Sequence, residues 1–502
     1  MKKLTKITSV LLLLVMLLSI VACGGDTPAV TDGKDTDPKG TDPVVTDAPT
    51  TTIPAEPLEI PSDATFDGHT FLWLTGGNVA YNDFDFDDTA STVLDVAQYQ
   101  RKVTVEELLD IVIESEKAQS GSSSGNGPSA QKIKQAVSAN ETIYDAGNVG
   151  GYDVAALATA NQLYDLNSTT YIDLEKSWWD QNANEDLNVN GLMFFTFGEI
   201  SGCRSTSTFV VFYNKALGET KNLTAPYDVV EEGKWTLDYF AEMCRAVSED
   251  LDGNDTLDYN DRFGLYCWDD AMMGIMASTG TRVCTINDDG VMELTLYSEV
   301  SEDAFNKFTN LIYDKNYCLA YQRYTSQFSV RDAWAADKAL FWATSNVNTA
   351  SMVEMESDFS ILPYPKLNDN QDRYYTTVAP YNSQFICMPL VQENEERTST
   401  IVEALAYYGQ KVLTPALYEK TVKGSQIRDE DTARMLDIIY DSYMFDVGYY
   451  YQVGNYNSGL MNLFRSYDLG FSSMFNRTKK AAEVKLKTIN NNFADVLSDW
   501  QD

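Results

Sequence analysis

One short acidic segment has the residue types and the spacing of a calcium-binding loop. Calcium prefers six or more oxygen ligands, and twelve-residue loops supply them from positions 1, 3, 5, 7, 9 and 12. Here Asp255 replaces the usual glycine at position 6, and position 12 is an aspartate rather than a glutamate. The candidate ligands are Asp250, Asp252, Asn254, the carbonyl of Thr256, Asp258 and Asp261. We expect a structural calcium ion; the alternative is a solvated acidic turn.

A second group, aromatic residues near polar loops, has the chemistry of a sugar site. Sugar rings offer apolar C–H faces that pack on aromatic rings, while Asp, Asn and backbone groups bond the hydroxyls. Trp342 ends a predicted strand and runs into a polar loop that contains Ser345 and Asn346. Core packing is the commoner role of any single tryptophan, and Trp235, which precedes a helix, fits that role. The other aromatic candidates are Trp73, Tyr152, Trp178, Trp179 and Trp268.

The chain lacks the motifs of the common catalytic sites. His69 is its only histidine, so a histidine-dependent triad would need this one residue. Neither a phosphate loop nor a strand-associated GxGxxG motif is present. Residues 121–125 resemble a nucleophile elbow only by their letters, because they lie in a Ser/Gly-rich stretch. We therefore assign no catalytic residue and expect a protein that is not an enzyme.

The N-terminal residues have the pattern of a bacterial lipoprotein precursor. Three lysines precede an apolar run over residues 10–21, and Ile20–Cys23 form a lipobox followed by two glycines. The apolar run is shorter than the roughly 20 residues that a transmembrane helix needs. We expect a signal peptide over 1–22, lipidation of Cys23, and anchoring by this lipid at the extracellular face of the cell membrane.

The composition limits what the rest of the chain can be. Residues 23–60 are rich in Thr, Pro, Asp and Gly, which predicts a disordered tether. About 440 residues remain, enough for two domains or one unusually large one. A net charge of -37 argues against nucleic-acid partners. The six cysteines beyond Cys23 have no zinc-site spacing, and both disulfides and free thiols are compatible with an exported chain.

Strands and helices alternate along the chain, which predicts an α/β fold with doubly wound parallel sheets and a helical C-terminal part. The predicted strands are 71–74, 111–113, 142–144, 209–212, 339–342 and 359–362. The predicted helices are 93–109, 130–139, 153–160, 236–247, 302–314, 349–356, 398–414, 428–443 and 476–498. In open parallel sheets, ligands bind beyond the carboxyl ends of the strands.

Short segments that stand in order from residue 65 to about residue 500 carry a family resemblance. They include residues 97–101 (AQYQR), 152–157 (YDVAAL), 178–180 (WWD), 212–215 (FYNK), 233–236 (GKWT), 261–265 (DRFGL), 361–366 (ILPYPK) and 371–375 (QDRYY). With them the chain resembles extracellular solute-binding proteins of family 1. This is the carbohydrate ABC-transporter group that includes maltose-binding protein, and the resemblance is closest to its long clostridial lipoproteins.

The resemblance implies a periplasmic-binding-protein-like fold, in which two α/β lobes joined by hinge strands close on a ligand. The ligand would be a sugar or oligosaccharide, handed to the permease subunits of an ABC importer by a monomeric receptor. Lobe 1 would comprise 61–205 and 380–440, and lobe 2 would comprise 206–379 and 441–502. Hinge crossings would fall near 200–208, 378–387 and 440. The predicted ligand-binding residues are Trp73, Asn148, Gly151, Tyr152, Trp178, Thr206, Trp342, Ser345, Asn346, Tyr381 and Asn382.

Two alternatives belong to other classes of protein. A secreted glycan hydrolase would use two carboxylates, for example Asp180 and Glu199, although any acidic chain contains such pairs. A surface adhesion module would fit the tether and the acidic loop. Tandem calcium loops would favour the adhesion module, but only one copy is present.

Overall fold

A computed structural model describes residues 56–77, 89–90, 92–121, 123–202, 207–345, 356–417 and 430–501. The predicted signal peptide, the lipidation site Cys23 and nearly all of the tether lie outside these ranges. So do the predicted ligand contacts Thr206 and Asn346, and all but the last residue of the helix predicted at 349–356.

A four-stranded sheet contains the first three strands of the chain and one later strand. Its strands are β1 (His69–Gly76), β2 (Ile111–Ala118), β3 (Ala146–Gly150) and β11 (Gln384–Cys387). The order is β11-β3-β1-β2, with the first three strands of the chain parallel and β11 antiparallel to β3. The buried strands β1 and β3 carry the apolar core of this sheet, which includes Phe71, Trp73 and Val149.

A five-stranded sheet is formed by strands that lie between Phe209 and Leu362. Its strands are β4 (Phe209–Asn214), β5 (Phe263–Cys267), β8 (Cys318–Ala320), β9 (Ala339–Ser345) and β10 (Phe359–Leu362). In the order β10-β4-β9-β5-β8, the strands β9, β5 and β8 are parallel, whereas β4 is antiparallel to both of its neighbours. A small hairpin pairs β6 (Cys284–Ile286) with β7 (Met292–Leu294).

The α/β fold with two sheets is confirmed, but both sheets are mixed rather than purely parallel. The strand predicted at 142–144 was wrong, since the strand is β3, which begins at Ala146. The small residues of β3 have low strand propensity. Small residues are required because β1 lies close: a Cβ on Gly147 would lie 2.6 Å from the carbonyl oxygen of Leu74. Asp145 holds the approach to β3 by accepting the Leu72 amide at 2.8 Å.

Helices connect the strands and cover the sheets. They are α1 (Val93–Leu109), α2 (Pro128–Ala139), α3 (Gly151–Thr159), α4 (Gln181–Leu187), α5 (Lys215–Thr220), α6 (Tyr227–Glu231), α7 (Leu237–Arg245), α8 (Ala271–Ser278), α9 (Glu299–Ile312), α10 (Val330–Ala335), α11 (Glu395–Tyr408), α12 (Glu430–Asp441), α13 (Val447–Tyr450), α14 (Tyr456–Ser466) and α15 (Phe471–Gln501). Side-chain caps fix several starts, as where Thr92 accepts the Asp95 amide. Among the described residues, no helix is both long and apolar enough to cross a membrane.

The Ser/Gly content of residues 118–128 predicts a disordered loop. In the described part of this segment, a buried carboxylate holds the backbone instead. Asp153 on α3 accepts the Gly127 amide at 2.9 Å, the Gly121 amide at 3.1 Å and the Ser129 hydroxyl at 2.8 Å. Because a buried carboxylate needs several donors, its bonds hold the loop to α3. No local sequence pattern indicates this anchor, because the donors lie 24 to 32 residues from Asp153.

Three segments pass side by side between the two sheets. Thr208 pairs with Val378, and Thr376 pairs with Tyr443. The Phe209 amide donates to the Thr377 carbonyl at 3.1 Å. The Thr376 amide donates to the Ser442 carbonyl, and the Met444 amide donates to the Thr376 carbonyl, both at 2.8 Å. These crossings lie at or within a few residues of the three predicted hinge positions.

One lobe assignment differs in the structure. Helix α12 was predicted with the first lobe, but it packs against β10 of the five-stranded sheet. Its Leu436 and Ile439 are buried in one cluster with Phe359, and its Thr432 hydroxyl bonds the Ser360 hydroxyl at 2.7 Å. The other lobe boundaries stay a prediction.

A buried carboxylate joins helix α11 to the tryptophan pair Trp178–Trp179. Both indole N–H groups donate to Glu403, at 2.9 Å and 3.0 Å. The Glu403 side chain is buried, and burial raises its pKa to about 8 even though the two indole donors oppose the shift. Since the unfolded chain gives up this proton near its ordinary pKa of 4.5, the folded state holds one more proton between these values.

This linkage predicts a pH-dependent stability. The free energy of unfolding should fall as pH rises from about 5 to above 8, by up to a few kcal/mol. Glu403→Gln should be less stable at low pH, because an amide cannot accept from both indoles, and should lose this part of the pH dependence. Urea unfolding across this pH range measures it, with Glu396→Gln, an exposed change on the same helix, as control. An unchanged pH slope in Glu403→Gln would contradict the assignment.

Candidate functional site

Strands of both sheets end near one another. Strand β3 leads into Tyr152, β5 leads into Asp270, and Tyr381 precedes β11. The Tyr381 hydroxyl donates a hydrogen bond to Asp270, so a residue beyond the five-stranded sheet is bonded to one that borders the four-stranded sheet. Ligands of open α/β sheets bind in such a place. We call Trp268, Asp270, Tyr321, Trp342 and Tyr381 the cleft cluster.

The carboxylate of Asp270 is only half satisfied. Its Oδ2 accepts the Tyr381 hydroxyl, whereas its Oδ1 is buried and has no hydrogen-bond partner among the described residues. Burial and the neighbouring Asp269 carboxylate raise the pKa of Asp270 to about 6, against the bond from Tyr381. An unsatisfied buried oxygen costs free energy, so a donor brought by a ligand would be stabilising here.

Tyr321 lies close enough to this carboxylate to interact with it electrostatically, and two tryptophans contact Tyr321. The Trp268 and Tyr321 rings lie 5.2 Å apart, and both residues are partly exposed. The Trp342 indole donates to the Tyr321 hydroxyl at 3.2 Å, but Trp342 itself is only 1% exposed. Trp342, predicted as a sugar platform, therefore supports Tyr321 from the core. The accessible rings of the cluster are those of Trp268, Tyr321 and Tyr381.

A buried hydrogen-bond network joins three strands of the four-stranded sheet next to the site. The Trp73 indole donates to Asn148 Oδ1 at 2.7 Å, and Asn148 Nδ2 donates to Gln384 Oε1 at 2.9 Å. All three side chains are buried. Two predicted contacts, Trp73 and Asn148, are thus brought together, and the network fixes the ends of β1, β3 and β11 against one another.

Gly151 and Tyr152 connect this network to the third crossing. A Cβ on Gly151 would lie 3.1 Å from both the Pro380 backbone and the Tyr450 ring, so only glycine fits without a shift. The Tyr152 hydroxyl accepts from Asn457 Nδ2 at 3.0 Å, and its ring packs edge-on against Tyr449. Burial raises the pKa of Tyr152 to about 12, so it remains a neutral phenol.

The remaining predicted contacts are spread out. Trp178 lies in the core, where its ring packs on Tyr407 and its indole bonds Glu403, so it is not part of the site proposed below. Ser345 is buried at the end of β9, and Asn382 is partly exposed beside Tyr381. Sequence reasoning missed Asp270 and Tyr321, although both lie just beyond carboxyl ends of buried strands. The rule that ligands bind beyond strand ends could not point to them, because neither β5 nor β8 was among the predicted strands.

The carboxylates of the hydrolase alternative have structural partners. Asp180 accepts the Ala183 amide at 2.9 Å and so caps helix α4. Glu199 accepts the Thr414 hydroxyl. His69 lies at the start of β1, opposite to the end that faces the site, and its Nε2 lies 3.3 Å from Asp145. These contacts give each residue a role in the fold.

The acidic loop brings three of its six predicted ligands together. One carboxylate oxygen from each of Asp250, Asp252 and Asp261 lies within 4.8 Å of the others. Asp255, at position 6, has a φ of 62°, the left-handed conformation that glycine usually supplies at this place. Backbone amides already bond the Asp250 carboxylate and lower its pKa. Calcium binding by this loop, with Asn254, Thr256 and Asp258 as further ligands, stays a prediction.

Comparison with known proteins identifies the fold. No protein-family model matches the chain, and no curated protein is significantly similar to it. An ABC substrate-binding protein from Listeria monocytogenes, in complex with cycloalternan, is 14% identical with a TM-score of 0.52, covering 85% of this chain and 100% of that chain. The GacH receptor of Streptomyces glaucescens, solved unliganded and with acarbose, is 13% identical with a TM-score of 0.54, covering 84% and 99%.

A third neighbour binds a different kind of ligand. UgpB from Mycobacterium tuberculosis, in complex with glycerophosphocholine, is 14% identical with a TM-score of 0.53, covering 78% of this chain and 95% of that chain. At such identities the similarity establishes the fold alone. The chain therefore has the two-lobed fold of ABC solute-binding proteins, as the sequence predicted.

The loop geometry predicts the effect of removing two of the grouped carboxylates. Asp250→Asn/Asp252→Asn should weaken calcium binding by roughly tenfold or more, because calcium affinity follows the charge count of its ligands. Titration calorimetry measures this, and calcium should raise the Tm of the unmodified chain only. The matched control is Asp288→Asn/Asp289→Asn, an equal charge change in an exposed turn. Equal calcium affinity in the loop variant and the unmodified chain would exclude the site.

Proposed function

We propose that the protein is an extracellular receptor that captures a carbohydrate between its two sheets and delivers it to an ABC importer. The observation that carries the proposal is the cleft cluster. It places accessible aromatic rings and a half-satisfied carboxylate where strands of both sheets end.

The chemistry of the cluster suits a sugar. The Trp268 and Tyr321 rings offer faces for the C–H side of a pyranose ring. None of the described residues donates to Asp270 Oδ1, so this oxygen can accept a hydroxyl hydrogen of the ligand. Orientation by a few polar groups and affinity from aromatic faces are the usual division of work in small-ligand sites.

The position of Tyr381 connects binding to closure. Tyr381 lies two residues beyond the second crossing, and its hydroxyl bonds Asp270, which follows β5 of the five-stranded sheet. A ligand that contacts both sides would favour the closed arrangement over any open one, which is a population shift. The bound carbohydrate would thereby determine which form meets the importer.

The fold neighbours support the ligand class without fixing it. The Listeria protein was solved with cycloalternan and the Streptomyces receptor with acarbose. UgpB was solved with glycerophosphocholine, so the fold accommodates other solutes. The rings of the cleft cluster are the reason that we prefer a carbohydrate. Release of reducing ends from a polysaccharide panel would instead support the hydrolase alternative.

The address and the partners complete the proposal. We infer a monomeric lipoprotein anchored through Cys23, held beside two permease subunits by the tether. Its lipobox and Ser/Thr/Pro-rich tether support this arrangement. Cys23→Ser should release the chain from the membrane into the medium, as fractionation measures; a chain that remains membrane-bound would contradict the anchor.

Changing one accessible ring tests the site. Trp268→Ala should weaken oligosaccharide binding five- to tenfold, roughly 1 kcal/mol of lost ring packing, whereas Trp268→Phe should lose less. Thermal-shift screening against sugars identifies a ligand, and calorimetry compares the variants. Because Trp268 is partly exposed, the unliganded Tm should change little. Full affinity in Trp268→Ala would remove this ring from the site.

A further inference from the structure

The two neighbouring aspartates at the site differ in how their charge is balanced. Asp269 forms an ion pair with Arg465, through Nε of the guanidinium and Oδ2 of the carboxylate. Asp270 forms no ion pair with any cation in the described ranges of the chain. Its only side-chain donor there is the neutral Tyr381 hydroxyl. The site therefore carries one carboxylate whose charge the described residues do not balance.

The unbalanced carboxylate is also short of donors. Oδ1 of Asp270 is buried, and no residue in the described part of the chain donates a hydrogen bond to it. A second unpartnered oxygen nearby is Oδ1 of Asn457, a residue 4% exposed whose amide nitrogen already donates to Tyr152. Two buried oxygens of this region thus lack a donor among the described residues. A ligand group with several N–H donors would satisfy more of these oxygens than a single hydroxyl.

The surrounding rings favour a positive charge over a negative one. The faces of Trp and Tyr rings carry the negative part of the ring quadrupole and attract cations. Tyr381 bonds the carboxylate, Tyr321 lies close enough to interact with it electrostatically, and Trp268 packs on Tyr321; all three residues are partly exposed. An ammonium group would gain from the rings and the carboxylate together, and a charge-assisted hydrogen bond is stronger than a neutral one.

We propose that the carbohydrate taken by this site carries a protonated amine, with the Asp270 carboxylate as its counter-ion and the cleft-cluster rings around it. This proposal rests on the proposed function, since it specifies the ligand of the same cleft. The amine would bond Oδ1 of Asp270, while the sugar ring packs on Trp268 and Tyr321. Neutral sugars of the same shape would leave the carboxylate charge unbalanced.

Oligosaccharides that differ only at one carbon test the proposal. The probes are β-1,4-linked glucosamine oligomers of two to six units, their N-acetylated forms, and glucose oligomers of the same linkage and lengths. Calorimetry at pH about 6.5 is expected to give about 10- to 100-fold tighter binding of the amine form than of either neutral form. Spermidine, an amine without a sugar ring, is expected to bind more weakly than the glucosamine oligomers.

Variants of the carboxylate separate charge from shape. Asp270→Asn should weaken binding of the amine form about 10- to 100-fold, and should weaken binding of the glucose oligomers by a smaller factor, because the amide oxygen can still accept a hydroxyl. Asp270→Glu, which keeps the charge, should retain part of the amine preference. Asp288→Asn makes the same charge change in an exposed turn and should leave both affinities unchanged. The unliganded Tm of each variant reports on its folding.

The outcomes separate this proposal from the proposed function. If neutral and amine forms bind equally, or if Asp270→Asn keeps the amine preference, the amine proposal fails and carbohydrate capture stands. If spermidine binds as tightly as the glucosamine oligomers, the requirement for a sugar fails. If no oligomer of any form binds, both proposals fail.

Discussion

The ladder of three crossing segments is the constraint on which the site depends. Backbone bonds join Ser207–Phe209, Thr376–Ala379 and Ser442–Met444, and the residues of these segments are buried. Because buried backbone groups need partners, the segments cannot drift apart without exposing unpaired amides and carbonyls. The ladder therefore fixes where one sheet ends relative to the other. It also carries Tyr381, placed two residues beyond Ala379, to Asp270.

The site itself departs from good internal packing of polar groups. Elsewhere, buried carboxylates have several donors: Asp446 accepts four backbone amides, and Asp153 accepts two amides and a hydroxyl. Glu403 has two indoles. Among the described residues, Asp270 has one side-chain donor, the neutral Tyr381 hydroxyl, and its Oδ1 oxygen is buried without a donor. An oxygen left unsatisfied where strands of both sheets end is expected of a binding site, since a ligand completes it.

The sequence was sufficient for the fold but only for part of the site. Helix α1 was predicted to the residue, and β10 likewise, because periodicity and Asx or Ser/Thr caps are local signals. The prediction misplaced strand β3 because its residues are small. They are small because β1 packs closely against them, and the local sequence does not show this contact. The prediction of the site residues failed for a different reason. Whether a tryptophan lines a cleft or fills a core depends on partners 100 or more residues away in the sequence. The Trp178 indole bonds Glu403, and Trp342 is buried in the core. No local sequence pattern distinguishes these two tryptophans from Trp268.

The most direct measurement is a crystal structure of the protein with the carbohydrate that stabilises it most in a thermal-shift screen. Our account predicts the sugar between the two sheets, one ring packed on Trp268 or Tyr321, with a hydrogen-bond donor of the ligand on Oδ1 of Asp270. A carbohydrate bound elsewhere, for instance in the outer groove between Tyr297 and helix α15, with the Asp270 carboxylate untouched, would contradict it.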